Sequence, residues 1–348
     1  MRHLLAALTF TMVVGACTSP NASVSGPPTA TPARSGLTPF GTAEVEPAFL
    51  ADGPGVNVDS LAFYEADVPE ETLLFVTAKD NQLVEVWQYP FTASELPPIR
   101  HPTFEAGSEV NGVAVDQQAA RLYVSVSRPR STVAVFDLPS LSHARDFVDG
   151  TYSLGSESNL TLLHHPDGMR LYVTADDFIY ILEAQDGAQI GRFEPDTSVE
   201  TIAGDDHAQI LYVPDENTRT GVYAYAPDGS PIVRGDDNTF GASHFDSDAE
   251  GVAIYRCLGV GSADTGQGLI VVADQRDEQT DFEIFDRVTW DHLGSLRMEG
   301  VSNTDGIAST QRPLPDYPLG LFAAIDDDRR VAAVGWDVIL SVTGLACP

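Results

Sequence analysis

The sequence predicts an all-β protein, a six-bladed β-propeller built of short antiparallel blades. Three observations carry that expectation. A strand–turn–strand unit recurs about six times. Polar turns rich in Asp and Gly separate the halves of each unit. No long stretch shows the 3.6-residue apolar period of an amphipathic helix. The copies read "LLFVTAKDNQLVEVWQYP" at 73–90, "RLYVSVSRPRSTVAVFDLP" at 121–139, "RLYVTADDFIYILEAQDG" at 170–187, "ILYVPDENTRTGVYAYAPDG" at 210–229, "LIVVADQRDEQTDFEIFDR" at 269–287 and "LFAAIDDDRRVAAVGWDVI" at 321–339. They return at intervals of about 40 to 60 residues, the length of one propeller blade. Further strand candidates precede three of them: "NGVAVD" at 111–116, "ETIAGD" at 200–205 and "EGVAIY" at 250–255. The rival architecture is a β-sandwich or two all-β domains, and the regular period argues against it.

Upstream of the repeats lie two segments of different character. The opening "MRHLLAALTFTMVVGACTSP" has a basic start at Arg2, an apolar run at 4–14 too short to span a bilayer, and then small residues. Residues 1–16 are expected to be a signal peptide whose end, "VGAC", is of the bacterial lipoprotein type, making Cys17 the lipidation site. An ordinary secretory peptide cleaved nearby is the alternative. Residues 17–45, rich in Pro, Ser, Thr and Ala, are expected to form a disordered tether, and 46–348 the propeller. The expected location is outside the cytoplasm, periplasmic or at the cell surface, with the membrane touched only through the lipid.

Charge narrows the partners. The 348 residues carry 51 Asp and Glu against 19 Lys and Arg, a formal charge of −32. That argues against nucleic acid, whose phosphates are bound by surplus cations, and suits clusters that hold hard cations such as Ca²⁺. Hydrophobic residues make up 43%, enough for a core. Cys257 and Cys347 can form a disulfide in an exported chain or remain two buried thiols, and they lack zinc-site spacing.

Several hydrolase signatures are absent: no Gly-x-Ser-x-Gly, no His-Glu-x-x-His, and neither Arg-His-Gly nor His-Cys-x-x-Gly-x-x-Arg. The paired His164 and His165 head a turn and read as surface residues. Acidic residues do stand at strand ends and turns, among them Asp59, Glu200, Asp205, Asp206, Asp215, Glu216, Glu250, Asp274, Asp277, Glu299, Asp305 and 326–328. In a propeller, equivalent positions of successive blades face one channel mouth, so carboxylates distant in sequence can converge. Converging carboxylates repel one another unless a cation neutralises them, and Ca²⁺ accepts six to eight oxygen ligands with flexible geometry.

The stretches "EGVAIYRCLGVGSADTGQGLIVVADQRDEQTDFEIFDR", "VSNTDGIAST" and "PDYPLGLFAAIDD" resemble the β-propeller phytases. The resemblance runs over roughly residues 50 to 345 and is densest from about Glu200 onward. It implies a six-bladed propeller that removes phosphate from myo-inositol hexakisphosphate with several Ca²⁺ ions in an acidic mouth. Glu200, Glu216 and Glu250 match the family's metal-bridging, catalytic glutamates, with Thr201 where Gly is usual. Gln275 and Asp277 fall on a calcium-binding turn, Asp305 matches an aspartate ligand, and Glu299 stands where the family has Asp. Asp59 answers one of an acidic pair, followed by Ser60 instead of Pro.

The cationic half of the resemblance is thinner. Lys79, the sole lysine of the chain, matches the first of two phosphate-binding lysines, and Asp80 replaces the second. Arg128 matches a phosphate-binding arginine, with Arg130 beside it. Asp176 and Asp177 occupy the turn of a third-blade lysine, and the family's nearby tyrosine falls on Leu163. The resemblance therefore implies a calcium-dependent phosphomonoester hydrolase of the 3-phytase type, acting on phytate, calcium-phytate or related esters and expected to be monomeric. The alternative is a weakened or inactive calcium-binding propeller that serves as a cell-surface binding module.

Overall fold

A computed structural model describes residues 36–53, 57–91, 98–99, 109–127, 131–147, 154, 158–175, 177–216, 221–235 and 237–347. Its strands form six small sheets arranged in a ring, a six-bladed β-propeller. Blade 1 comprises Val58–Tyr64, Leu73–Ala78 and Leu83–Gln88. Blade 2 holds Val110–Asp116, Arg121–Val126, Thr132–Asp137 and Ser142–Phe147. Blade 3 holds Leu160–His165, Gly168–Ala175, Phe178–Glu183 and Gln189–Phe193. Blade 4 is shorter, with Ala203–Asp205, Ile210–Pro214, Gly221–Tyr225 and Thr239–Gly241. Blade 5 holds Asp248–Leu258, Asp264–Gln275, Asp281–Asp286 and His292–Met298. Blade 6 holds Ile307–Thr310, Leu321–Asp326 and Arg330–Gly335.

The burial pattern follows position in the blade. Leu73–Ala78 and Leu321–Asp326 are buried along their whole length, because a second strand is covered by neighbouring blades on both faces. Outer strands such as Gln189–Phe193 are largely exposed or half-buried. Each of six apolar clusters joins one pair of neighbours: Leu74 and Trp87 of blade 1 meet Leu321 and Ile325 of blade 6, and Phe282 of blade 5 meets Phe322. The first strands touch in sequence around the ring, and that of blade 6 touches that of blade 1.

The N-terminal segment closes the ring. Phe49–Asp52 pairs antiparallel with Arg330–Gly335 as the outermost strand of blade 6, in the register Phe49 to Ala333. Thr42–Val45 lies parallel to His292–Met298 as a fifth strand on blade 5. This corrects the lower limit expected for the propeller: residues 42–45 belong to a sheet and not to a tether. The chain ends in the helix Trp336–Thr343, and Cys347 beyond it is bonded to Cys257 on the first strand of blade 5. Among the described residues no helix is long and apolar enough to cross a membrane. Cys17 lies outside the described residues.

One buried acid has a measurable consequence. Glu85 on blade 1 is 1% exposed and accepts a 2.9 Å hydrogen bond from Trp87 Nε1. Burial pushes its pKa up from 4.5 to about 7, against the pull of the Trp87 bond. The folded value lies above the unfolded one, so the stability Glu85 contributes is complete below pH 4.5 and is lost as pH rises to about 7. Glu85→Gln is expected to remove this slope and to stabilise the protein at pH 8 by on the order of 2 kcal/mol. Denaturant unfolding of both proteins at pH 5 and pH 8 checks it. Parallel pH dependences would refute it.

Candidate active site

The first strand of every blade enters the channel through the same short pattern. The six copies are Asp59-Ser60-Leu61, Asn111-Gly112-Val113, Ser158-Asn159-Leu160, Glu200-Thr201-Ile202, Glu250-Gly251-Val252 and Asp305-Gly306-Ile307. The third residues, with their followers, line the channel itself, while the first residues stand together around one mouth. The ring packs closely enough to exclude side chains at several second positions. A Cβ on Gly306 would lie 2.3 Å from the Asp59 carbonyl oxygen, and one on Gly251 would lie 2.5 Å from that of Asp305. Backbone bonds repeat between blades, from Gly112 N to the Ser158 oxygen at 3.0 Å and from Gly251 N to the Asp305 oxygen at 2.9 Å.

The mouth opens into a cavity of about 260 Å³. Blades 4, 5, 6 and 1 contribute Glu200, Glu250, Asp305 and Asp59, a contiguous acidic arc. Blades 2 and 3 contribute the neutral Asn111 and Ser158. Lys79, on the turn after Leu73–Ala78, places its Nζ 2.6 Å from Asp59 Oδ1. Gln275, at the end of Asp264–Gln275, donates from Nε2 to Asp305 Oδ1. Asp328 completes the acidic side from a turn in which Asp327 and Asp328 both have left-handed backbones, φ 49° and 53°. Non-glycine residues in that region cost energy, and Asn57 and Asn303, also lining the mouth, share it at φ 59° and 44°.

Crowding shows in the ionisation of these groups. Burial raises Glu250 well above the usual carboxylate range, and the charges of Asp305, Glu200, Asp59 and Asp248 push the same way. Burial lifts Asp305 to about 8, reinforced by Asp59 and Asp328 and opposed by Lys79. Asp328 is raised as well, first by burial. Among the described residues the lining offers carboxylate, amide and hydroxyl oxygens and no His or Cys. That donor set fits a hard cation such as Ca²⁺.

The mouth gathers Asp59, Lys79, Glu200, Glu250, Gln275 and Asp305. Three other residues singled out by resemblance do not line it. Glu216 is buried just beyond Ile210–Pro214, while Asp277 and Glu299 are exposed on blade 5. Leu163 is fully buried in the core between blades 3 and 4, and the residue that blade 3 gives to the ring is Ser158. Arg128, Arg130 and Asp176 lie outside the described residues. Sequence reasoning missed Asn57, Asn111, Ser158, Asn159 and Asn303, and it named Asp328 only as one of many acidic turn residues. The sixfold register of the first strands would have found three of these.

Two other charged clusters are already compensated. Asp274, Asp281 and Glu283 lie buried together on blade 5. Arg276 binds Asp274 and Asp281, Arg297 binds Asp281, and His292 Nε2 lies 2.6 Å from Glu283. At the far end of the channel, Arg287 pairs with Asp205 through Nε at 2.6 Å and with Asp264 at 2.8 Å. Paired charges of this kind hold strands and blades together, whereas in the described lining of the first mouth five carboxylates face the single ammonium of Lys79.

Among solved structures the fold is widespread, with 1246 matching chains, so fold alone selects no activity. One of them, described as "Crystal Structure of Mitotic Checkpoint Complex", aligns with a TM-score of 0.53 at 13% identity, over 82% of this chain and 94% of that one. At that identity it shows a shared ring and nothing about chemistry. A family model described as Phytase matches residues 182–334. The match runs from the third strand of blade 3 to the third strand of blade 6 and takes in Glu200, Glu250, Gln275, Asp305 and Asp328. Over residues 182–334, from blade 3 to blade 6, the sequence of this six-bladed β-propeller is similar to the Phytase family.

Proposed function

We propose that the chain hydrolyses phosphate monoesters at this mouth, in the manner of a calcium-dependent phytase, with myo-inositol hexakisphosphate and smaller esters as candidate substrates. The observation that supports it most is the acidic arc itself. Four equivalent ring positions on consecutive blades carry carboxylates, and three of them lie within the stretch that matches the Phytase family.

Hydrolysis of a phosphate monoester is mainly a matter of positioning and of offsetting negative charge on the phosphoryl oxygens. Asp59, Glu200, Glu250, Asp305 and Asp328 would hold calcium, with Gln275 as a neutral oxygen donor. Calcium bound there would supply positive charge beside the phosphoryl group and acidify a water. Lys79 stands at the edge of the arc, where its ammonium can meet a phosphate oxygen as a point charge while one carboxylate oxygen orients it. Among the described residues, blades 2 and 3 give the ring the neutral Asn111 and Ser158, so the hydroxyls of an ester can meet hydrogen-bonding groups there.

Phosphate release from myo-inositol hexakisphosphate and from p-nitrophenyl phosphate, with calcium and with a chelator, tests this reading. Release is expected from at least one ester in calcium, falling about tenfold or more in chelator. Absence of release from both at every calcium concentration would reject it. Calcium binding without turnover would then favour a propeller that binds a partner at the cell surface.

A further inference from the structure

The second residues of the six ring copies are Ser60, Gly112, Asn159, Thr201, Gly251 and Gly306. Blades 1 and 3 carry polar side chains there, and blade 2 between them carries none. Asn159 makes use of that gap. A Cβ on Gly112 would lie 2.6 Å from Asn159 Cα and 2.9 Å from its Oδ1, so only glycine lets the asparagine cross in front of blade 2. Having crossed, Asn159 donates from Nδ2 to Ser60 Oγ at 3.2 Å. Ser60 Oγ in turn donates to Asp59 Oδ2 at 2.9 Å, and Lys79 binds the other oxygen of the same carboxylate at 2.6 Å.

Every member of this chain is fixed from a second direction. Asn159 Oδ1 accepts from Leu160 N at 2.7 Å, and Asn159 N donates to Thr174 Oγ1 at 2.6 Å. The amide is therefore locked with its NH₂ group towards Ser60. Ser60 N donates to Thr77 Oγ1 at 2.9 Å, and the residue is 4% exposed. A hydroxyl has one proton and two lone pairs. With the Asn159 amide filling a lone pair, the proton of Ser60 is directed to Asp59. Both oxygens of Asp59 are thus gripped, one by a neutral donor and one by Lys79, which fixes the plane of the carboxylate at the edge of the acidic arc.

We propose that Ser60 and Asn159 are positioning residues, spanning blades 1 and 3 across Gly112, that set the affinity of the mouth for its cation by orienting Asp59. This rests on the reading of the mouth as a calcium site. Groups that orient a ligand carboxylate without touching the ion commonly change metal affinity by 10- to 100-fold when removed.

The test is a calcium titration by calorimetry, well below the melting temperature, on the full chain and on Ser60→Ala, Ser60→Thr, Asn159→Ala and Asp59→Asn. Asp59→Asn marks which part of the isotherm belongs to the mouth. Ser60→Ala and Asn159→Ala are expected to weaken that part about tenfold, and Ser60→Thr, which keeps the hydroxyl, should stay within about twofold of the parent. Adding Ser60→Ala to Asp59→Asn should cost no further calcium affinity, because the hydroxyl acts only through that carboxylate. A purely structural role would lower the melting temperature in chelator and leave the isotherm unchanged. Folded Ser60→Ala and Asn159→Ala proteins that match the parent isotherm would overturn the proposal and leave the calcium reading standing. A parent chain that binds no calcium would overturn both.

Discussion

Glu250→Ala is expected to lower calcium-dependent phosphate release by at least about a hundredfold, since it removes a carboxylate at the centre of the arc. Glu250 is 8% exposed and is flanked in the ring by Glu200 on blade 4 and Asp305 on blade 6. The same substitution should affect stability with opposite signs in two buffers. In chelator, Glu250 is a buried acid whose ionised form is penalised by burial first and then by Asp305, Glu200 and Asp59. Removing it relieves that penalty, and the variant should melt at a higher temperature than the parent. In calcium the order should reverse, because a ligand that binds only the folded parent adds stability of about 2.7 kcal/mol at a hundred times its dissociation constant. Melting curves in both buffers, run beside a phosphate assay, check all of this. Turnover equal to that of the parent would dismiss Glu250 from the site.

Cys257→Ser is expected to destabilise the protein by roughly 4 kcal/mol, the loop-closure contribution of a cross-link across about ninety residues. Cys257 and Cys347 are 90 positions apart, and the loop they close contains most of blade 5, all of the first three strands of blade 6 and the final helix. Leu345, Ile339 and Trp336 pack into the core between blades 5 and 6, so the cross-link holds the end of the chain against its own hydrophobic seat. Denaturant unfolding of the variant, and of the parent with and without reductant, measures the effect. Midpoints that agree within error would show that packing alone holds the tail.

Much of the blade structure was legible because second strands such as "LLFVTA" and "LFAAID" are covered on both faces and read as unbroken apolar runs. The turns between them could be read for the same reason, since Asp and Gly mark where burial stops. The acidic side of the mouth was partly legible, since Glu200, Glu250 and Asp305 stand at or just before the first strands of blades 4, 5 and 6. What escaped was whatever depends on curvature. The acidic turn 326–328 was legible, but the choice of Asp328 to line the mouth goes with two successive left-handed backbones, and Asn159 reaches Ser60 only because Gly112 has no side chain. Neither condition leaves a hydrophobic period to follow. Glu216, Asp277 and Glu299 are acidic and close in sequence to ring residues, but the turns that carry them do not bring them into the lining of the mouth.

The strand Phe49–Asp52 finds its partner, Arg330–Gly335, nearly three hundred residues later. During synthesis blade 6 therefore stays open until the last tenth of the chain has emerged, and the ring can close only as a late event. Non-local pairing of this kind is slow to form, and an unpaired blade edge invites association with other chains in the meantime. A ribosome that stalls before residue 330 would release five blades with no latch.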